Sequence, residues 1–76
     1  MDNKVIYISR DILSGTPVFK GTRVPIKNLF DYIETGESLN DFLEAFPSVK
    51  KDQALEVLEI AEQVLTSDEF LNENPA

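Results

Sequence analysis

The side chains that could do chemistry in this chain are carboxylates, lysines and arginines, because its 76 residues include no histidine and no cysteine. General acid–base catalysis would therefore depend on a carboxylate or a lysine. Glu56, Glu59 and Glu62 recur at every third position and would share one face of a helix. No partner acid and no pocket-forming motif accompanies them, which is typical of a solvated helix face. We expect no enzymatic activity, no cofactor and no metal site.

A phosphate-binding loop is the second chemistry to consider, since residues 14–26 read SGTPVFKGTRVPI. Gly15 and Gly21 lie six positions apart, and Thr-Arg follows the second glycine. The Walker pattern needs a shorter spacing and a Gly-Lys followed by Ser or Thr. The spacing therefore excludes that loop, and the glycines are better explained as turn positions with a positive φ.

The two parts of the chain differ strongly in charge. Residues 1–27 carry a net charge of +3, whereas residues 28–76 carry −10 and the whole chain carries −7. Such asymmetry suggests two surfaces with different partners, although acidic side chains also serve solubility. The chain has no signal-peptide pattern and no apolar run that could cross a membrane. We expect a soluble cytoplasmic protein.

Short extended pieces and then a helix are predicted for the front half. KVIYIS at residues 4–9 predicts a strand. VF and RV around Lys-Gly-Thr predict a tight hairpin, or two short extended pieces, around Gly21. Apolar residues at helical spacing then predict a helix that starts at Pro25 and ends at Gly36.

Two more helices follow. Ser38 is placed to cap the second, with Asp41 three residues later, and Pro47 ends it. The third should run over about residues 50–65, and its apolar residues cover more than a narrow stripe. That helix either lies centrally in the core or presents a second apolar face to a partner. The pattern predicts a mainly α fold, a three-helix helix-turn-helix core preceded by short N-terminal β-strands. We divide it into a β-containing segment, a helical core and an acidic tail, residues 1–24, 25–65 and 66–76.

The turn residues of the front half closely resemble a signature of a small bacterial family, domain-of-unknown-function family 433. The signature is Gly-x-Pro, three residues, then Gly-Thr-Arg-Val/Ile-Pro, with a glycine turn after the first helix. The matching residues here are Gly15, Pro17, Gly21, Thr22, Arg23, Pro25 and Gly36. Two positions depart from the family: Ser14 stands where many members have glycine, and Lys50 stands where a capping Ser or Thr is common.

The resemblance implies a homeodomain-like helix-turn-helix and a VapB-like antitoxin of a type II toxin–antitoxin pair. Such a protein binds and neutralises a PIN-like nuclease toxin and represses its own promoter as a homodimer. We expect the N-terminal strand and a second apolar face of the last helix to form the self-contacts. Two alternatives stay open: a DNA-binding transcriptional regulator without a toxin, and a protein–protein interaction module.

Each predicted partner selects its own residues. A nuclease that binds RNA carries a basic groove, so the candidate toxin-binding residues are acidic or apolar: Glu56, Glu59, Glu62, Phe70 and Leu71. DNA would be contacted by basic residues, because the carboxylates of the last helix repel phosphates: Arg10, Lys20, Arg23, Lys27, Lys50 and Lys51. Arg23 has two interpretations. Its guanidinium either binds carboxylates or carbonyls of the helices, or reaches a phosphate or an acidic partner.

Overall fold

The computed structural model describes residues 4–67. Within them the chain forms two short strands and three α-helices, which confirms the predicted mainly α fold with N-terminal strands. The elements are β1 (Ile6–Tyr7), β2 (Val18–Phe19), α1 (Ile26–Glu34), α2 (Leu39–Ala45) and α3 (Lys51–Leu65).

The strand β1 is shorter than the predicted 4–9 segment. It pairs antiparallel with β2, with Ile6 opposite Phe19 and Tyr7 opposite Val18. Continuing this register would place Ile8 opposite Pro17, but the Pro17 carbonyl accepts from the Ile26 N–H at 2.9 Å, on the side of β2 away from β1. The β2 segment thus bonds to β1 on one side and to the residues after the hairpin turn on the other.

The predicted hairpin around Gly21 is confirmed. The backbone N–H of Phe19 donates to the carbonyl of Val24 at 3.0 Å, and that of Thr22 donates to the carbonyl of Phe19 at 2.9 Å. Gly21 has a φ of +83°, a left-handed conformation that suits glycine. The Thr22 hydroxyl donates to the Phe19 carbonyl at 2.8 Å and accepts from the Val24 N–H at 3.0 Å. The turn is thus fixed by Gly21 and Thr22.

Another turn, at Leu13–Gly15, is strained. Leu13 and Ser14 both have a positive φ, at 51° and 57°, and Gly15 follows at 92°. A left-handed conformation costs about 1 kcal/mol or more for a residue with a Cβ. Ser14 therefore occupies a position whose backbone conformation favours glycine.

The end of α1 at Gly36 and the start of α2 at Ser38 are as predicted. After α1, the N–H of Gly36 donates to the Ile33 carbonyl and that of Glu37 donates to the Tyr32 carbonyl. This is a Schellman motif, and Gly36 has the positive φ of +90° that it requires. At the start of α2, the Asp41 N–H donates to the Ser38 hydroxyl at 3.0 Å, and the Ser38 N–H donates to the Asp41 carboxylate at 3.1 Å. These bonds form the capping box and lower the pKa of Asp41.

One core joins the strands and all three helices. Its buried residues come from β2, the three helices and the segments that precede β1 and α3, and the half-buried Ile6 of β1 packs against them. The buried residues are Val5, Phe19, Leu29, Phe42, Val49, Ala54 and Val57. The ring of Phe42 is at its centre, 5.8 Å from Phe19 and 5.1 Å from Phe46 between centroids. Within residues 4–67, no helix has the length and apolarity needed to cross a membrane.

Candidate functional site

The carboxylates of α3 form a continuous acidic face. Glu56, Glu59 and Glu62 are all exposed. They lie three residues apart on a helix with 3.6 residues per turn, so successive side chains are neighbours on its surface. None of the three makes an ion pair with any residue in 4–67. The structure therefore brings together the three acidic residues predicted for toxin binding.

A second face of α3 is apolar along its whole length but buried only at one end. Ala54 and Val57 belong to the core, with exposures of 0% and 3%. Val64 and Leu65 follow at helical spacing, and their exposures are 52% and 56%. Ala61 lies between the two pairs and is half-buried. We call Ala61, Val64 and Leu65 the stripe end, because they continue the core-facing stripe past the part of the helix that the protein covers.

Two alternatives were predicted for the apolar residues of α3, a central place in the core or a face for a partner. The structure shows one stripe that packs into the core through Val57 and is exposed from Val64 onward. Among the described residues, nothing covers the last turn. Phe70 and Leu71, the apolar pair predicted to bind the toxin, lie outside the described residues.

Basic residues converge at the opposite end of α3. Lys4, Lys20 and Lys50 line a groove of about 500 Å³ beside the first turn of the helix. Asp52 and Glu56 line it as well, so the groove carries both signs of charge. An adjoining groove of about 500 Å³ contains Lys20 and Arg23 together with apolar side chains. The structure therefore places Lys20, Arg23 and Lys50 of the predicted DNA contacts near one another, and adds Lys4.

The other predicted DNA contacts do not line these grooves. Lys27 lies on α1 and forms an ion pair with Asp31 at 2.9 Å, which raises the pKa of Lys27. It borders a separate apolar groove with Ile6, Ile8 and Phe30. Arg10 is exposed in the turn after β1, and Lys51 is exposed at the first residue of α3. The basic residues thus form one cluster and several separate charges.

Gln53 connects the basic cluster to the hairpin turn, a role absent from the sequence-based predictions. Its amide nitrogen donates to the Lys20 carbonyl at 3.0 Å, across 33 positions of the chain. Its amide oxygen accepts from the Lys50 N–H at 3.0 Å, at the start of α3. A Gln three residues after a helix start is a capping signal, but nothing in the sequence indicates the second bond.

Arg23 is exposed and its guanidinium makes no hydrogen bond or ion pair with residues 4–67. Within residues 4–67, its guanidinium thus binds none of the helix carboxylates or carbonyls that a structural role would require. Thr22 and Gln53 hold the turn instead. Arg23 is therefore available to a partner.

Comparison with known proteins gives a family and one curated relative. An uncharacterized protein of Sinorhizobium fredii, y4eO, is 40% identical over 50 residues, which are 66% of this chain and 23% of the relative. The chain thus spans about a quarter of the length of that relative. No solved structure matches. The family model described as "Protein of unknown function (DUF433)" matches residues 6–61, and the chain belongs to that family.

Proposed function

We propose that this chain is the antitoxin of a type II toxin–antitoxin pair and that it neutralises a PIN-like nuclease. The observation that supports this function is the acidic face of α3, with Glu56, Glu59 and Glu62 exposed and without ion pairs in residues 4–67. A row of carboxylates at this spacing is costly to leave unneutralised, because like charges three or four residues apart repel. A basic partner removes that cost.

The mechanism is occlusion of the nuclease groove by charge and bulk. A nuclease that binds RNA presents positive charge along the path of the backbone. The acidic face matches that surface in sign, which accelerates the encounter and favours this partner over acidic proteins. RNA and the antitoxin then compete for the same groove.

The test is inhibition of RNA cleavage by a PIN-like nuclease that co-purifies with the chain from its native host. The wild-type chain should inhibit it, and Glu56→Gln/Glu59→Gln/Glu62→Gln should associate about tenfold more slowly at low salt. The matched control is Glu34→Gln/Glu37→Gln/Glu44→Gln, which removes the same charge from exposed positions of α1, α2 and their connection. Equal effects of the two triple variants would show that net charge alone acts and would remove the acidic face from the interface.

A transcriptional regulator that binds DNA is the second candidate. The convergence of Lys4, Lys20 and Lys50 on one groove, with Arg23 in the next, favours it. If the three helices form the predicted helix-turn-helix, the first turn of α3 approaches the major groove and these residues meet phosphates.

Fluorescence anisotropy with a duplex of the chain's own promoter distinguishes this candidate. Arg23→Gln/Lys50→Gln should weaken DNA binding and make the affinity less dependent on salt. The reason is that binding releases fewer counterions when fewer phosphates are contacted. Arg10→Gln/Lys27→Gln is the matched control, because it also removes two positive charges but from exposed positions outside both grooves. Equal binding by the two double variants would exclude the basic cluster as the DNA contact.

A further inference from the structure

We infer that the groove between β1 and the hairpin turn binds one unstacked nucleotide of a single-stranded nucleic acid. The base packs against the Tyr7 ring, and the adjoining phosphate lies beside Lys20 and Arg23. This groove has a volume of about 500 Å³. It is separate from the carboxylates of α3 on which the antitoxin function depends, and its ligand differs from the duplex DNA of the second candidate function.

The lining of this groove combines apolar surface with positive charge. Among the described residues it includes no carboxylate and consists of Tyr7, Ile12, Lys20, Gly21, Thr22 and Arg23. The neighbouring groove at the start of α3 differs, because Asp52 and Glu56 line it together with the lysines. An apolar groove with a few charged groups at its border selects a ligand that has an apolar part and the opposite charge. A nucleotide has both, a flat base and a phosphate.

The two side chains that recognise the ligand are accessible. Tyr7 belongs to the sheet but is 36% exposed. The guanidinium of Arg23 makes no hydrogen bond or ion pair within residues 4–67. Proteins bind the bases of single strands by stacking them on aromatic rings or guanidinium planes, and they bind the phosphates with Lys and Arg. The groove places both kinds of group side by side.

The backbone that forms one wall of the groove is held in place before any ligand binds. The Thr22 hydroxyl donates to the Phe19 carbonyl and accepts from the Val24 N–H. The Gln53 amide attaches the Lys20 carbonyl to α3. A Cβ added at Gly21 would meet no atom within 4 Å, so this part of the wall is open to a ligand. A site that is already ordered loses less conformational entropy on binding.

The distribution of charge favours a single strand over a duplex. Residues 1–27 carry a net charge of +3, but Asp52 and Glu56 lie in the neighbouring groove. A duplex is stiff and brings two rows of phosphates against this mixed surface. A single strand can bend away from the carboxylates, and its unpaired bases are free to stack on Tyr7. Since Lys20 lines both grooves, the next phosphate of the strand can lie toward Lys50.

Fluorescence anisotropy at low salt, with the full chain and a labelled uridine oligonucleotide of about ten nucleotides, measures the affinity. Tyr7→Leu should weaken binding at least about fivefold, whereas Tyr7→Phe should stay within about twofold of the wild type because it keeps the ring. Arg23→Gln should lower both the affinity and its salt dependence. Arg10→Gln is the matched control, since it removes the same charge from an exposed position outside both grooves. Circular dichroism should show that all four variants keep the fold.

Three results would overturn the inference. The first is no binding by the wild type, or equal binding by Tyr7→Leu and the wild type. The second is tighter binding of a duplex of the same length, which would favour the transcriptional regulator. The third is competition by uridine monophosphate at the same molar concentration as the oligonucleotide, which would make a free nucleotide the ligand. None of these results affects inhibition of the nuclease, so the antitoxin function is tested separately.

Discussion

The two ends of α3 share one apolar stripe but lie in opposite environments. At its start, Ala54 and Val57 are buried and Gln53 binds the hairpin turn. At its end, Val64 and Leu65 continue the same stripe but are more than half exposed. The periodicity of a helix therefore identifies which side is apolar, but the length of the surrounding protein decides how much of that side is core.

The difference also separates the two kinds of candidate site. We call the start of α3, where Gln53, Ala54 and Val57 attach it to the rest of the protein, the anchored end; Lys4, Lys20 and Lys50 surround it. The exposed end carries Glu59 and Glu62 beside the apolar Val64 and Leu65. Binding at the exposed end does not require the core to rearrange. A partner can thus be recognised there while the anchored end keeps the fold and its basic groove unchanged.

The largest expected effect is the difference in stability between truncating a valine at the anchored end and truncating one at the exposed end. Val57→Ala should lower the free energy of unfolding by about 2 kcal/mol, because it leaves a cavity in the core. Val64→Ala should change it by less than about 0.5 kcal/mol, because the side chain is largely solvated. Urea denaturation of both variants checks this. A comparable loss in Val64→Ala would mean that the stripe end is covered in the free protein, and the comparison between the two ends would break.

The next effect concerns the attachment of the anchored end. Gln53→Ala removes the bonds to the Lys20 carbonyl and the Lys50 N–H and should cost about 1 kcal/mol. Gln53→Glu keeps an acceptor for the Lys50 N–H but cannot donate to the Lys20 carbonyl, so its stability should lie between those of the wild type and Gln53→Ala. The same denaturation curves measure both. If Gln53→Glu were as stable as the wild type, the bond to Lys20 would contribute nothing and α3 would be attached by its apolar residues alone.

A smaller gain in stability is expected at the residue that precedes α3. Lys50 is the N-cap with an extended backbone, φ −88° and ψ 151°, but its side chain has no acceptor for the free N–H groups. Lys50→Ser should stabilise the protein by about 0.5–1 kcal/mol, since Ser accepts one of those bonds. Lys50→Ala is the control that removes the charge without adding an acceptor. Equal stability of the two variants would indicate that the Gln53 oxygen already fulfils the role of the cap.

The sequence predicted those features that depend on neighbouring residues. The Ser38–Asp41 capping box, the Gly36 helix end and the Gly21 hairpin each involve a few consecutive positions with well-defined backbone preferences. These local rules sufficed for the three helices and the mainly α fold.

The sequence could not show which distant residues meet. Gln53 and Lys20 are 33 positions apart, and only the packed structure brings the amide to the carbonyl. Lys4 was absent from the predicted basic contacts because its nearness to Lys50 is likewise a result of packing. The sequence also could not show that the stripe end is exposed. Val57 and Val64 follow one apolar pattern and differ only in whether other parts of the protein pack against them.

The smallest expected effect is a difference in pH dependence between two contributions to stability, the cap of α2 and the attachment of α3. The Ser38 N–H holds the pKa of Asp41 below its ordinary value of 3.8, so the ionised carboxylate favours the folded state. This contribution is complete above pH 3.8 and is lost as the pH falls through that value toward the lowered pKa of the folded state. Gln53 at the start of α3 does not ionise, so the anchored end should keep its hydrogen bonds throughout.

Urea denaturation of the wild type and Asp41→Asn between pH 7 and pH 3 provides the measurement. Asp41→Asn should be less stable at neutral pH, and its difference from the wild type should shrink in acid as Asp41 is protonated. Glu44→Gln is the control, because this exposed carboxylate accepts no hydrogen bond from residues 4–67. The Gln53→Ala difference should stay constant over the same range. A Gln53→Ala difference that shrank in parallel would mean that the anchored end of α3 depends on the α2 cap, and the two helix starts would form one cooperative unit.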